Sequence, residues 1–180
     1  MPGSELHYNR VARGLHWTIG ILIILNLAFG ILHDPLEDIV ALMPIHKSIG
    51  FTVLGLTVFR LVWRIARPGP ALPPEMPGWE RLASHLTHWT FYALMFILPL
   101  SGWIFSSAGK WPLPFYGLFE IPKLAVDKSM PIVDIAHEAH EVLGFAWIAL
   151  ILLHVGAALR HHFILKDNVL IRMWRGAPGA

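Results

Sequence analysis

The chain contains no cysteine. This absence excludes disulfide bonds, iron–sulfur clusters held by thiolates, and haem attached covalently through a C-x-x-C-H motif. Neither the G-x-G-x-x-G motif of dinucleotide-binding folds nor the G-x-x-x-x-G-K motif of P-loop proteins is present. Charge is also scarce, since 14% of the 180 residues are charged while 55% are hydrophobic. That balance is too apolar for a typical soluble domain and indicates a membrane protein.

Four apolar runs are long enough to cross a bilayer as helices. The first, Gly14 to His33, carries no ionisable residue other than histidine. A signal peptide would be the alternative for it, but the run is long and FGILHDP offers no cleavage site between small residues. We therefore expect an all-α integral membrane four-helix bundle, a single domain over 1–180, with helices at about 14–33, 45–65, 82–107 and 132–162.

Basic residues segregate to one side of this predicted bundle. With four spans, both termini and the connector between the second and third helices share a side. That side holds ten of the 14 lysines and arginines, and the other holds four, Lys47, Lys110, Lys123 and Lys128. The asymmetry predicts that both termini lie in the cytoplasm; the family resemblance given below implies that the membrane is a bacterial inner membrane. A pI of about 9.2 could suggest a nucleic-acid partner, but because the basic residues segregate by membrane side we reject that interpretation.

The fourth apolar run carries histidines at two depths. Between Glu141 and Arg160 there is no charged residue, yet His154 lies inside this stretch, where an ionisable side chain is costly unless a partner satisfies it. His140 lies fourteen positions earlier, which corresponds to about 40° around the helix and about 21 Å along it. One helix face therefore presents two imidazoles at two depths. A packing histidine bonded to a neighbouring helix is the alternative for His154.

Two further histidines match these depths. His16 begins the first helix on the cytoplasmic side, as deep as His154, and His46 begins the second on the outer side, level with His140. This arrangement predicts two haem b groups in the bundle core, with axial ligand pairs His16–His154 and His46–His140. Iron with two histidine ligands has no open position, which favours electron transfer. His137 fits less well, since it lies about 100° away from the face of His154.

The motifs around these histidines resemble the bacterial cytochrome b561 family. They are GLHW at 14–17, PIHKSIG at 44–50, HEVLG at 140–144 and HVGAALRHHFILKDNVLIRM at 154–173. The resemblance covers nearly the whole chain. It implies a four-helix di-haem b protein linked to the ubiquinone pool, with the ligand positions on His16, His46, His140 and His154. Some members are described as superoxide:ubiquinone oxidoreductases, which implies an outer-side donor such as superoxide.

His161 is the candidate for contact with the quinone. It lies seven positions after His154, about 20° away in angle and two turns nearer the cytoplasm, where an imidazole can donate to a quinone carbonyl. An interfacial residue that meets lipid headgroups is the alternative, and it is the expectation for His162. His85 and His88 are expected to be interfacial or interhelical, with a quinone role as the alternative, and His7 and His33 to be surface residues.

The sequence thus predicts an oxidoreductase that carries electrons between an outer-side donor and membrane ubiquinone. One alternative is a cytochrome b subunit of a larger dehydrogenase or hydrogenase, which would co-purify with a catalytic subunit. Another is a haem-free, histidine-lined transporter of metal ions or protons, which an optical spectrum would distinguish. The oligomeric state does not follow from the sequence.

Overall fold

The computed structural model describes residues 7–74 and 76–174; Arg175, one of the basic residues counted above, lies outside them. Helix α1 spans Arg10–Leu32, α2 spans Leu42–Ala66, α3 spans Gly78–Ser107 and α4 spans Pro131–Arg160. A π-helical segment, His161–Leu165, continues α4, and a short helix, α5, spans Val169–Trp174. Within the described ranges, four helices are long and apolar enough to cross a membrane. The expected all-α four-helix architecture is confirmed.

The observed helix ends differ from the expected ones by a few residues because residues that flank the apolar runs join the helices. Helix α1 begins at Arg10, before the apolar run, where the Asn9 side chain accepts a hydrogen bond from the Ala12 backbone N–H at 2.9 Å. Such a cap satisfies one of the free N–H groups of a first turn. Helix α2 begins at Leu42, so Pro44 lies in its first turn, where a missing N–H costs nothing.

The bundle consists of two helix pairs. Helix α1 packs along α2, helix α3 packs along α4, and α2 also touches α3. The extensive packing of α4 is against α3, so a seam separates α4 from the α1–α2 pair. The buried core lies between the two depths of the predicted ligand histidines. It comprises Ile19, Ile23, Ile49, Val53, Tyr92, Leu94, Met95, Leu98 and Trp147.

A different small element packs against each end of the bundle. At one end α5 folds back on α1, where the Trp17 indole donates to the Met173 carbonyl at 3.1 Å. At the other end a small β-hairpin, β1 (Pro114–Phe115) and β2 (Phe119–Glu120), docks on α2. The Ser48 hydroxyl contacts the Pro114 carbonyl and accepts from the Tyr116 N–H, at 3.0 Å each. These ends are called the termini side and the hairpin side below.

Large apolar side chains cover the outside of the four long helices. Ile21 and Ile24 on α1, and Leu152 and Leu153 on α4, are more than half exposed. Such a surface would be a liability in water, but it suits contact with lipid chains.

Candidate functional site

The four predicted ligand histidines lie in two facing pairs. The ring centres of His16 on α1 and His154 on α4 are 6.2 Å apart, on the termini side. Those of His46 on α2 and His140 on α4 are 6.0 Å apart, on the hairpin side. We call them the termini-side pair and the hairpin-side pair. In each pair, the histidine on α4 faces its partner across the seam between α4 and the α1–α2 pair.

The separation within each pair suits an iron held between two imidazoles. A metal–imidazole bond is about 2 Å long and the ring nitrogen lies roughly 1 Å from the ring centre, so two imidazoles on opposite sides of one metal have centres about 6 Å apart. The observed 6.2 and 6.0 Å agree with this spacing. Both rings can therefore reach one iron without a change in helix positions.

Hydrogen bonds fix the tautomers of the hairpin-side pair. His46 Nδ1 lies 2.9 Å from the Asn26 carbonyl oxygen, and His140 Nδ1 lies 2.9 Å from the Leu98 carbonyl oxygen. Because a carbonyl only accepts, each Nδ1 carries the proton and donates it. Each Nε2 then keeps its lone pair, which is the form that ligates a metal.

Two glycines make room for these two rings. A Cβ on Gly30 would lie 3.0 Å from His46 Cε1, and a Cβ on Gly102 would lie 3.1 Å from His140 Cε1. Gly30 is on α1 and Gly102 is on α3, so each glycine lies against the ring of a histidine on a neighbouring helix. The bare backbone lets each ring lie close against that helix, which holds its angle.

The termini-side pair has different surroundings. Arg60 on α2 donates to His16 Nδ1 over 3.4 Å, which is a long contact. If His16 ligated a metal through Nε2, its proton would be on Nδ1, and this contact with Arg60 would be lost. The His154 ring lies 5.9 Å from the His88 ring and 5.2 Å from the Phe91 ring. His88, expected to be interfacial or interhelical, is thus an interhelical neighbour of this pair.

Unpaired guanidinium atoms lie close to the termini-side pair in sequence. Nε and Nη1 of Arg13 are buried and lack a hydrogen-bond partner within the described residues. Arg13 precedes His16 by three positions on α1, so both occupy one helix face. Buried donors of this kind require acceptors, and the propionate carboxylates of a haem b would supply them. The residues present therefore fit such a group at this end.

His161 is buried rather than interfacial. Its residue exposure is 9%, and its Nδ1 lies 2.5 Å from Asp167 Oδ2. Its Nε2 lies 3.9 Å from Glu80 Oε2, and the other oxygen of Glu80 accepts from Arg160 at 2.9 Å. The ring thus lies among the side chains of α3, the π-helical segment and the loop before α5. Glu80 was missed by the sequence analysis, because a single acidic residue in a first helical turn is common for dipole reasons alone.

The remaining predicted histidines lie elsewhere. His137 is exposed and its ring packs against Phe105, 4.9 Å between centres. His33 pairs with Asp34 at 2.9 Å at the end of α1, and the His162 ring packs against Phe163.

A cleft of about 440 Å³ opens beside His88 on the termini side. His85 and His88 line it together with Tyr8, Arg64 and Arg81. The cleft lies between α3 and residues 68–72 of the proline-rich connector. Polar and titratable side chains thus surround a volume on this side that is large enough for a ring.

Comparison with known proteins gives a consistent answer over the whole chain. Residues 7–176 match the family described as prokaryotic cytochrome b561. The chain is 31% identical over 170 residues to cytochrome b561 homolog 2 of Escherichia coli, covering 92% of this chain and 90% of that protein. It is 29% identical to the probable superoxide oxidase CybB of Yersinia pestis, covering 92% and 94% of the two chains. It is 27% identical to cytochrome b562 of Cereibacter sphaeroides, covering 96% and 98%.

Proposed function

Because the chain belongs to the prokaryotic cytochrome b561 family, a family of bacterial membrane electron carriers that bind haem b, we propose that it holds two haems and passes electrons from an outer-side donor to ubiquinone. The observation that carries this proposal is the pair of facing imidazole couples, 6.2 and 6.0 Å between ring centres. Their depths, about 21 Å apart along α4, suit a two-step transfer across the bilayer.

Each residue in the two pairs has a defined task in this proposal. His16 and His154 would hold one haem iron through Nε2, and His46 and His140 would hold the other. The carbonyl oxygens that accept from Nδ1 keep the hairpin-side rings in the ligating tautomer. When bound, a haem b with two histidine ligands exchanges single electrons and leaves no open position for oxygen.

The protein between the pairs keeps water away from the electron path. Trp147 lies seven positions from both His140 and His154, so it occupies the same face of α4 midway between them. Its residue exposure is 5%, and Tyr92 and Met95 are buried beside it in the core. A dry, packed region between two redox groups limits solvent rearrangement when charge moves.

We propose that His161 contacts the quinone on the termini side. Its buried position there supports this contact, and the Asp167 carboxylate orients the ring by accepting from Nδ1. With both ring nitrogens protonated, Nε2 would donate to a quinone carbonyl. We also propose that this side faces the cytoplasm of a bacterial inner membrane, on the strength of the ten-to-four distribution of lysine and arginine. Reporter fusions to the C-terminus, active only in the cytoplasm or only outside it, test that orientation.

Superoxide is the donor to test first, since a relative at 29% identity is named a probable superoxide oxidase. Stopped-flow mixing of the oxidised protein with superoxide should reduce its haems rapidly, and added ubiquinone should reoxidise them. Pyridine haemochrome analysis should give two haems per chain. One haem or none would overturn the di-haem assignment. If the haems stay oxidised after mixing with superoxide, superoxide is not the donor. If ubiquinone does not reoxidise the reduced haems, ubiquinone is not the acceptor.

A further inference from the structure

The cleft beside His88 lies outside the seam that contains the two histidine pairs. Its walls come from the end of α2, residues 68–72 of the connector, the first three turns of α3, and Tyr8 before α1. No described residue of α1 or α4, the helices that carry His16 and His154, lines it. Its volume of about 440 Å³ is in the range of sites that bind small molecules. The cleft is therefore a cavity distinct from the space between the paired rings.

The connector wall of the cleft is fixed at three points. Arg81 Nη2 donates to two carbonyl oxygens of the connector, at 3.2 and 3.0 Å. Arg172 Nη1 donates to the Ala71 carbonyl oxygen at 2.7 Å. The Tyr8 ring lies so close to Gly69 that a Cβ at that position would overlap it. These contacts hold a proline-rich segment in one place, so the cleft is formed before a ligand enters it.

Positive charge and hydrogen-bond donors line the cleft. Arg64 belongs to the last turn of α2, where its guanidinium lies 5.9 Å from the centre of the Tyr92 ring, and Arg81 belongs to the first turn of α3. No lining residue that the structure describes is acidic. Such a cluster favours an anion, and the planar guanidinium group matches the oxygen atoms of a phosphate. The other polar lining residues are Tyr8, Ser84, His85 and His88.

An apolar stripe runs along α3 beside the cleft. It consists of Trp79, Leu82, Leu86 and Trp89, each 59–67% exposed. The stripe lies about a third of a turn around α3 from the residues that line the cleft. Exposed tryptophans are typical of helix surfaces at the level of the lipid headgroups. A ligand with an anionic group in the cleft can therefore place apolar chains along the stripe, and a phospholipid has both parts.

We propose that the cleft binds the phosphate group of an anionic phospholipid, with Arg64 and Arg81 contacting the phosphate oxygens and the acyl chains lying along the stripe. Basic pockets between membrane helices are known to bind anionic headgroups on the cytoplasmic side. The lipid would join the end of α2, the connector and the start of α3. This site is separate from electron transfer, and it does not depend on the identity of the donor or the acceptor.

Lipid binding to the protein with its haems in place tests this proposal. The protein in neutral detergent is titrated with phosphatidylglycerol and, separately, with phosphatidylcholine, and native mass spectrometry counts the bound lipids. Phosphatidylglycerol should bind more tightly, because its headgroup has no positive charge to oppose the two arginines. Arg64→Gln should weaken its binding about fivefold, the effect expected for one arginine facing an anionic headgroup. Arg10→Gln, the loss of an exposed cation outside the cleft on the same side, should keep the wild-type affinity.

Two soluble competitors distinguish the lipid from other occupants. Glycerol 3-phosphate in large excess should leave phosphatidylglycerol bound, because it lacks the chains that lie along the stripe. If it displaces the lipid, the cleft is a site for soluble phosphate esters and the proposal is wrong. If a short-chain ubiquinone displaces the lipid, the cleft belongs to the quinone and the proposal is again wrong.

The same samples separate lipid binding from haem binding. Haem spectra and midpoint potentials of Arg64→Gln and Arg81→Gln should match wild type, because no predicted iron ligand lines the cleft. A shifted potential in both variants with unchanged lipid affinity would assign the guanidinium groups to haem carboxylates and overturn the inference. Equal affinity of the wild-type protein for the two lipids would also overturn it. That comparison needs no variant, so it decides the proposal even if Arg81→Gln does not assemble.

Discussion

Replacing Gly30 with alanine tests how closely the hairpin-side pair is built. The new Cβ would lie 3.0 Å from His46 Cε1 and 3.3 Å from its Nδ1. Carbon atoms rest at about 3.5–4.0 Å, so the ring must retreat by about half an ångström or more. The same ring is tied to the Asn26 carbonyl at 2.9 Å. Moving the His46 ring away from α1 would therefore strain this hydrogen bond and tilt the ring.

The magnitude follows from two opposing terms. Overpacking of this kind costs about 1–3 kcal/mol, and alanine regains about 0.5–1 kcal/mol over glycine inside a helix. We expect a net loss of stability of about 1–2 kcal/mol. Gly20→Ala is the matched control, because it lies on the same helix with open space around its Cβ position. It should stabilise the protein by up to about 1 kcal/mol.

The assay combines a redox titration of the haem absorbance with thermal unfolding. Gly30→Ala should shift the midpoint potential of one haem, or lose that haem, while the other matches wild type. Gly20→Ala should leave both potentials in place. If Gly30→Ala shows two unshifted potentials and the same thermal stability as Gly20→Ala, then His46 is not packed against α1 as an axial ligand.

Two further substitution experiments address the ligands and the quinone. His16→Ala and His154→Ala should lose the same haem, and His46→Ala and His140→Ala should lose the other, as read from spectra and potentials; loss of one haem in all four variants would refute the pairing. His161→Ala and His161→Phe should keep both haems and slow quinone reduction about a hundredfold, the lower end of what a positioned acid–base group contributes. Haem reduction by an outer-side donor should stay near the wild-type rate. Quinone turnover that matches wild type in both variants would move the site to the cleft beside His88.

The existence of the four helices was predictable because long apolar runs have few alternatives in a membrane. Their ends were less predictable, since caps such as the Asn9 side chain add a polar turn that hydropathy does not register. The hairpin was missed for a related reason. Its strands have two residues each, and its position depends on contacts with Ser48, which is 66 residues before Pro114.

The pairing of histidines by depth was predictable because a helix has a fixed rise and rotation per residue. The close neighbours of those histidines were not predictable in the same way. Gly30 and Gly102 matter through contacts with other helices, and nothing local distinguishes them from Gly20. Glu80 lies beside His161 only in the folded chain, with its Oε2 3.9 Å from Nε2 of a ring on the π-helical segment after α4. Such a relation between distant segments requires the tertiary structure.

The division of the bundle into two helix pairs has a bearing on biogenesis. Each pair can enter the bilayer as a hairpin with its own backbone hydrogen bonds satisfied, before the pairs associate. The porphyrins would then act as the last structural components, joining α4 to α1 and α2. We expect cells starved of haem to contain an inserted chain whose connector, residues 67–77, is readily cut by protease, and haem supply to protect it. Equally slow cleavage with and without haem would show that the two helix pairs associate unaided.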